Sequence, residues 1–190
     1  MRAALAIACM IWAGACLAQE TGFYIGAGVG NSSYREACAD FNRLAGQADA
    51  FGCTSSEDTA QKAFAGWRLH QYLALEVSYI DFGEAKGTGT VAGAPVTATT
   101  KVKAAGLSAL GILPLSERVS VYGRLGMLEV KTRTQIEGGM AAVEDDDETE
   151  LHVGIGALFN LARDWGVRLE YERLNDTKID LISIGVQYRF

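Results

Sequence analysis

Beyond its first 20 positions the chain has no apolar run approaching about 18 residues, so no transmembrane helix is expected there. It has no basic excess either: 17 Lys and Arg stand against 23 Asp and Glu, a formal charge of −6. A nucleic-acid partner, which calls for a basic face, is therefore not expected. Histidine is scarce, with only His70 and His152, and neither Cys38 nor Cys53 has a second Cys or a His at ligand spacing. No metal site and no cofactor are expected. No internal repeat or low-complexity linker divides the 190 residues, which amount to one domain.

The opening, "MRAALAIACMIWAGACLAQE", has one early positive charge at Arg2 and then an uncharged apolar run to Ala18. It is short for a membrane span, and small residues stand where a signal peptidase cuts, so residues 1–18 read as a signal peptide and 19–190 as the mature domain. "AGAC" also places Cys16 after small residues, as at a lipidation site, but without the usual Leu three positions before it. Removing the signal takes away one Arg and no acid, so the charge becomes −7. Cys38 and Cys53 remain, and in an exported chain such an even pair is expected to form a disulfide.

What the mature chain does have is alternation at period two, in eight segments. Phe23, Ile25, Ala27 and Val29 alternate with Tyr24 and glycines; Leu75, Val77 and Tyr79 alternate with Glu76 and Ser78. Val167, Leu169 and Tyr171 oppose Arg168, Glu170 and Glu172, and Ile182, Ile184, Val186, Tyr188 and Phe190 oppose Ser183, Gly185, Gln187 and Arg189. One segment, "KVKAAGLSALGILP", is less regular, because Lys101 and Lys103 fall on the face that later carries Leu107 and Ala109. A bulge or an early loop would each account for it.

Alternation alone does not say which face is inside. The apolar face ends in aromatics, including Phe23, Trp67, Phe159 and Tyr188, while the other carries glycines and the charges Lys62, Arg68, Glu76, Arg124, Arg168 and Glu170. An apolar outer band bounded by aromatic girdles, around a polar interior, is the pattern of a barrel in lipid. Connection lengths alternate as well. Short turns fall near residues 70–72, 114–118 and 162–165, and long connections span 35–58, 84–100 and 132–149. The expected fold is all-β: an eight-stranded antiparallel transmembrane β-barrel with short periplasmic turns and longer extracellular loops, located in the cell outer membrane.

The stretches "YIGAGVG", "FAGWRLHQYLALEVSYIDFG", "LSALGILPL", "VYGRLGML", "RLEYERL" and "IGVQYRF", in this order, resemble the OmpA-like transmembrane domain family. The resemblance covers most of the mature chain outside the loops. It implies that the terminal aromatics, Tyr188 and Phe190, are read by the outer-membrane barrel assembly machinery. It also implies a lumen charge network at Glu76, Arg168 and Glu170, to which the polar face adds Arg124. Where the family pattern has a Lys and a Glu, this chain has Leu110 and Leu158, which implies a packed plug and no general porin activity. The chain stops at the barrel, so no cell-wall-binding domain is expected.

The lumen charges read either as an ion path or as a structural salt-bridge network, and buried charges must be paired to be tolerated. Glu170 and Glu172 lie two apart on one face, which offers little for two-carboxylate catalysis. No Ser and carboxylate accompany His70 or His152 in a way that marks a hydrolase, and no enzymatic activity is expected. The acidic run at 144–148, "EDDDE", lacks the Gly and spaced acids of a calcium loop and reads as a solvated external loop. The expected role is structural or one of surface interaction, including adhesion or host contact, through external loops. Its partners would be outer-membrane lipid and lipopolysaccharide, and host surface or matrix molecules. A lipid A-modifying barrel enzyme and a narrow ion channel are the alternatives.

Overall fold

The computed structural model describes residues 21–34, 52–55, 57–91, 94–137 and 142–190. Residues 1–18, Cys38 and the side chain of Cys53 lie outside the described part, and with them the expected signal peptide and disulfide. The strands are β1 (Gly22–Tyr34), β2 (Gly52–Ser55), β3 (Glu57–His70), β4 (Leu73–Val91), β5 (Ala94–Pro114), β6 (Val119–Glu137), β7 (Ala142–Asn160), β8 (Trp165–Leu174) and β9 (Ile179–Arg189). No helix occurs among the described residues. Every pairing is antiparallel, and β1 closes the circle by pairing β3 on one side and β9 on the other. Eight strands make the barrel; the short β2 adds to the upper part of β4.

Both ends of the sheet system lie at the end with tight turns, where Tyr24 pairs with Arg189 and the Phe190 N–H donates to Phe23 O at 3.0 Å. We call this the turn end and the other the hairpin end. At the turn end, the Leu115 and Leu161 amides donate back to Val119 O and Trp165 O, closing the β5–β6 and β7–β8 connections. Phe23 stacks on Trp67 with centroids 5.3 Å apart, and Tyr188 meets Trp165 and Phe190 edge-on at 5.0 and 5.1 Å. These rings form the girdle at this end.

At the hairpin end the structure corrects the loop expectation. Segments 84–100 and 132–149 are mostly strand: β4 and β5 stay paired out to Val91 and Ala94, and β6 and β7 out to Ile136 and Ala142. The acidic run 144–148 belongs to β7 and pairs with β6, with Asp147 and Glu148 exposed. Their described outward residues, among them Glu84, Lys86, Thr88, Thr97, Arg133, Gln135 and Asp147, are polar, so these stretches lack the outward apolar stripe that reveals a membrane strand. Their Thr and Val residues nevertheless suit an extended backbone.

Outward residues hold their parity along every barrel strand except β4, where a bulge shifts it, yet their chemistry changes at one level. Moving towards the hairpin end, the first outward residue beyond the apolar band is Asn31, Gln61, Asp81, Lys103, Glu129, Thr149, Arg173 or Asp180, one on each barrel strand. At and above that level the interior turns apolar. Tyr34, Ile80, Phe82, Val102, Leu128, Val130, Leu174, Ile179 and Leu181 form a buried cluster there. Lys101 and Lys103 thus need no irregularity in β5; they lie on the outward face beyond its apolar band. A bulge is present, but in β4 between Asp81 and Glu84, where Gly83 has φ 80°. Asp58 holds it by accepting from the Glu84 amide at 2.7 Å.

Candidate functional site

Three inward layers fill the lumen. Nearest the turn end, Tyr24, Phe64, Ala74, Leu110, Ile112, Tyr122 and Leu158 pack together. Leu110 and Leu158, expected to plug the lumen, are both in this layer. Each of three rings lies across a glycine of the neighbouring strand: Tyr24 over Gly66, Phe64 over Gly26 and Tyr122 over Gly156. A Cβ at Gly66 would collide with the Tyr24 ring, which is also held by its hydroxyl donating to Glu76 Oε2 at 2.9 Å. Gly66→Val is expected to cost about 1–3 kcal/mol by overpacking, read from the urea midpoint of the barrel refolded in micelles. An unchanged midpoint would show that the ring is free to move aside.

The middle layer is ionic. It gathers Glu76, Arg124, Arg168 and Glu170, named from the sequence, together with Lys62, Glu172 and His152. Arg168 donates to Glu76 at 2.8 Å, to Glu170 at 3.0 Å and to the Tyr122 hydroxyl at 3.0 Å. Its guanidinium lies 4.2 Å from the Phe64 ring centre and 4.9 Å from that of Tyr122, so cation–π attraction adds to the ion pairs. Arg124 donates to Glu76 at 2.6 Å and to Glu170 at 2.7 Å, and its Nε lies 3.2 Å from Glu172. Lys62 donates to Glu170 at 3.0 Å and Glu172 at 2.7 Å. Three cations thus meet three carboxylates, all nearly inaccessible, so the layer carries no net charge from them. That balance makes burial of so many charges tolerable.

His152 Nε2 lies 3.2 Å from Glu172 Oε1, but neither ring nitrogen is aligned for a hydrogen bond. Glu150, next inward on β7, accepts from the Asp176 and Thr177 amides and the Thr177 hydroxyl, tying the β8–β9 turn over the lumen. His70 is exposed near the β3–β4 turn, remote in the register from this layer. The third layer is the apolar cluster at the hairpin end. An ionic layer therefore sits between two apolar ones. The cavity beside Arg168 and Leu158 measures about 10 Å³, roughly one water at most.

Sequence parity put Lys62 and Glu172 on the inward face, but only the strand register shows that they complete the network. Outside, the band of Ile25, Val77, Leu107, Met127, Ile155 and Ile184 is exposed, which in water would be an aggregating surface and in lipid is the natural one. Among the described residues no helix is long and apolar enough to cross a membrane, which says nothing of crossing by strands.

The model of the OmpA-like transmembrane domain matches residues 18–190, nearly the whole chain. The chain belongs to the OmpA-like transmembrane domain family. An OmpA-like barrel is an outer-membrane protein, and the exposed apolar band is its lipid contact. Solved structures similar to this OmpA-like barrel include Neisserial surface protein A, with a TM-score of 0.58 at 16% identity over 89% of this chain and 97% of that one. The N-terminal β-barrel domain of Pseudomonas aeruginosa OprF gives 0.57 at 10% identity, over 89% and 98%. Ail, the attachment invasion locus protein of Yersinia pestis, in complex with the heparin analogue sucrose octasulfate, gives 0.54 at 15% identity, over 89% and 99%. Identities this low speak for the fold alone. No curated protein sequence matches the chain significantly.

Proposed function

We propose that this OmpA-like barrel is a surface-interaction protein whose hairpin end faces outward and makes contact with molecules outside the cell, and that it is neither a pore nor an enzyme. The observation that carries this reading is the sealed lumen. An ionic layer of balanced charge between two apolar layers leaves no continuous polar path, and eight strands enclose only enough room for side chains. The rigid barrel then serves as a mount. Four strands, β4 to β7, project past the apolar band and carry their connecting tips outward, where binding on a rigid scaffold usually resides. Ail, similar in fold, is by its name an attachment protein, which supports a host-facing role without extending its ligand to this chain. The Cys38–Cys53 disulfide would brace the first outer connection, and Tyr188 and Phe190 would serve assembly.

The lipid A-modifying alternative lacks a site among the described residues: His152 faces Glu172 inside the sealed layer, away from the rim. Two measurements test the proposal. Planar-bilayer recordings of the purified protein are expected to show no stable large conductance; a steady open pore would end the reading. Cells displaying the barrel are expected to bind immobilised matrix or host-cell surfaces, and to lose that binding when residues 86–99 and 133–147 are replaced by tight turns. Binding that survives both replacements, with barrel levels unchanged, would place the activity elsewhere.

A further inference from the structure

The strand register produces an arrangement on β5 and β6 that the fold alone does not need. Lys101 pairs directly with Arg133, and Lys103 directly with Lys131, all four on the outward face. Two successive outward rungs therefore oppose like charges, which is destabilising in a sheet. Among the described side chains, acids stand on both flanking strands and at Glu129 on β6 itself. On β4, Glu84 meets Lys101 at 2.6 Å and Asp81 meets Lys103 at 3.2 Å; on β7, Asp147 meets Lys131 at 3.5 Å. Glu129, below Lys131 on β6, lies 3.2 Å from it. Hydrogen bonds from Lys101 and Lys86 hold the Glu84 carboxyl below the usual carboxylate range, and Asp81 raises the Lys103 ammonium. These pairs are about half exposed, and such pairs are worth little, so the ammoniums exchange partners readily.

Position decides what the grid faces. Lys103 is the first outward residue beyond the apolar band on β5, and directly below it β5 presents Ala105 and Leu107, while on β6 Glu129 stands between Lys131 and the apolar Met127 and Leu125. At this level Asp81 on β4 and Glu129 on β6 are the acids beside the grid, and the remaining strands offer Asn31, Gln61 and Thr149, or the internally paired Arg173 and Asp180. Four cations thus stand side by side on one sector of the rim, ringed by Asp81, Glu84, Glu129 and Asp147 and with an apolar strip below. Neighbouring strands lie about 5 Å apart and alternate residues about 7 Å along, so four flexible or forked cationic side chains can converge on one tetrahedral anion.

We propose that Lys101, Lys103, Lys131 and Arg133 bind the phosphate group of an outer-leaflet lipid headgroup, whose acyl chains lie on the apolar strip below. The site rests on the outward orientation of the hairpin end argued above. The continuity of grid and strip favours a lipid over a soluble sulfated glycan.

The test is native mass spectrometry of the full chain, refolded in micelles with equal amounts of bis-phosphorylated lipid A and its dephosphorylated form. The wild type is expected to retain the phosphorylated form at least about tenfold better, as several basic side chains near an anionic headgroup should allow. The preference is expected to vanish in Lys101→Gln/Arg133→Gln/Lys103→Gln/Lys131→Gln and to persist in Arg173→Gln. Heat-modifiable mobility of each variant reports folding separately. Equal retention of both lipids by the folded wild type, or an unchanged preference in the fourfold variant, overturns the site. Loss of the preference to millimolar inorganic phosphate would make it a free-phosphate site. Binding of a soluble sulfated oligosaccharide without any lipid preference would make it a glycan site, and either result rejects the lipid. Orientation is read independently, by labelling Thr97→Cys on intact cells with an impermeant maleimide. Absence of labelling with the lipid preference intact would reject the outward orientation while leaving the phosphate site standing.

Discussion

Arg168→Met is expected to destabilise the refolded barrel by about 3–5 kcal/mol, the cost of leaving buried charges without their partner. Removing the guanidinium takes hydrogen bonds from Glu76, Glu170 and the Tyr122 hydroxyl together, and leaves three carboxylates facing two cations. The methionine fills much of the space under Phe64, so the loss reports charge more than volume. Adding Glu76→Gln is the informative step. It restores the balance at two against two, and the double variant should recover part of the loss, seen as a positive coupling in urea denaturation. A single variant that loses less than about 1 kcal/mol would mean that water reaches these carboxylates. The sealed lumen would then be the wrong description.

Phe190→Ala is expected to leave the refolded barrel nearly as stable as the wild type, yet to lower its outer-membrane level in cells severalfold. The ring is 73% exposed and touches Tyr188 edge-on, while the bond that fixes this position is made by the backbone, from the Phe190 N–H to Phe23 O. Little packing depends on it, and surface changes of this kind usually move stability by about 0.5 kcal/mol or less. A large effect in cells combined with a small one in micelles would assign the ring to recognition during assembly, and Phe190→Trp should restore the level. Equal losses in both settings would make it a packing residue instead.

Much of the barrel was legible because lipid forces each strand to declare two faces. Ile182, Ile184 and Val186 against Ser183, Gly185 and Gln187 admit one reading once a membrane is assumed, and the structure places them so. The same constraint lapses above the band. Lys86, Thr88, Lys131, Arg133 and Gln135 lie exposed beyond the band, so polar residues fill this outward face and a paired strand reads as a loop. The lumen was legible in kind but not in membership. Parity turned Lys62 and Glu172 inward, but their meeting depends on the register of β3, β1, β9 and β8 around the closure, which local periodicity does not encode. Glu170 and Glu172 looked like an idle pair on one strand; both are anchored by one lysine from across the lumen.

The level at which the barrel changes character also works as a waterline. Below it the molecule is oily outside and keeps its buried charges within; above it the order is that of a protein in water. Sinking the barrel by one outward rung would carry Asp81, Lys103, Glu129, Arg173 and Asp180 towards hydrocarbon together. Each costs roughly 0–1 kcal/mol near the interface and, for Lys and Arg, 2–4 at the midplane, so the resistance grows with depth on five strands at once. Raising it would expose the apolar strip to water. The barrel floats at one height, and whatever its hairpins touch is met at a fixed distance from the membrane.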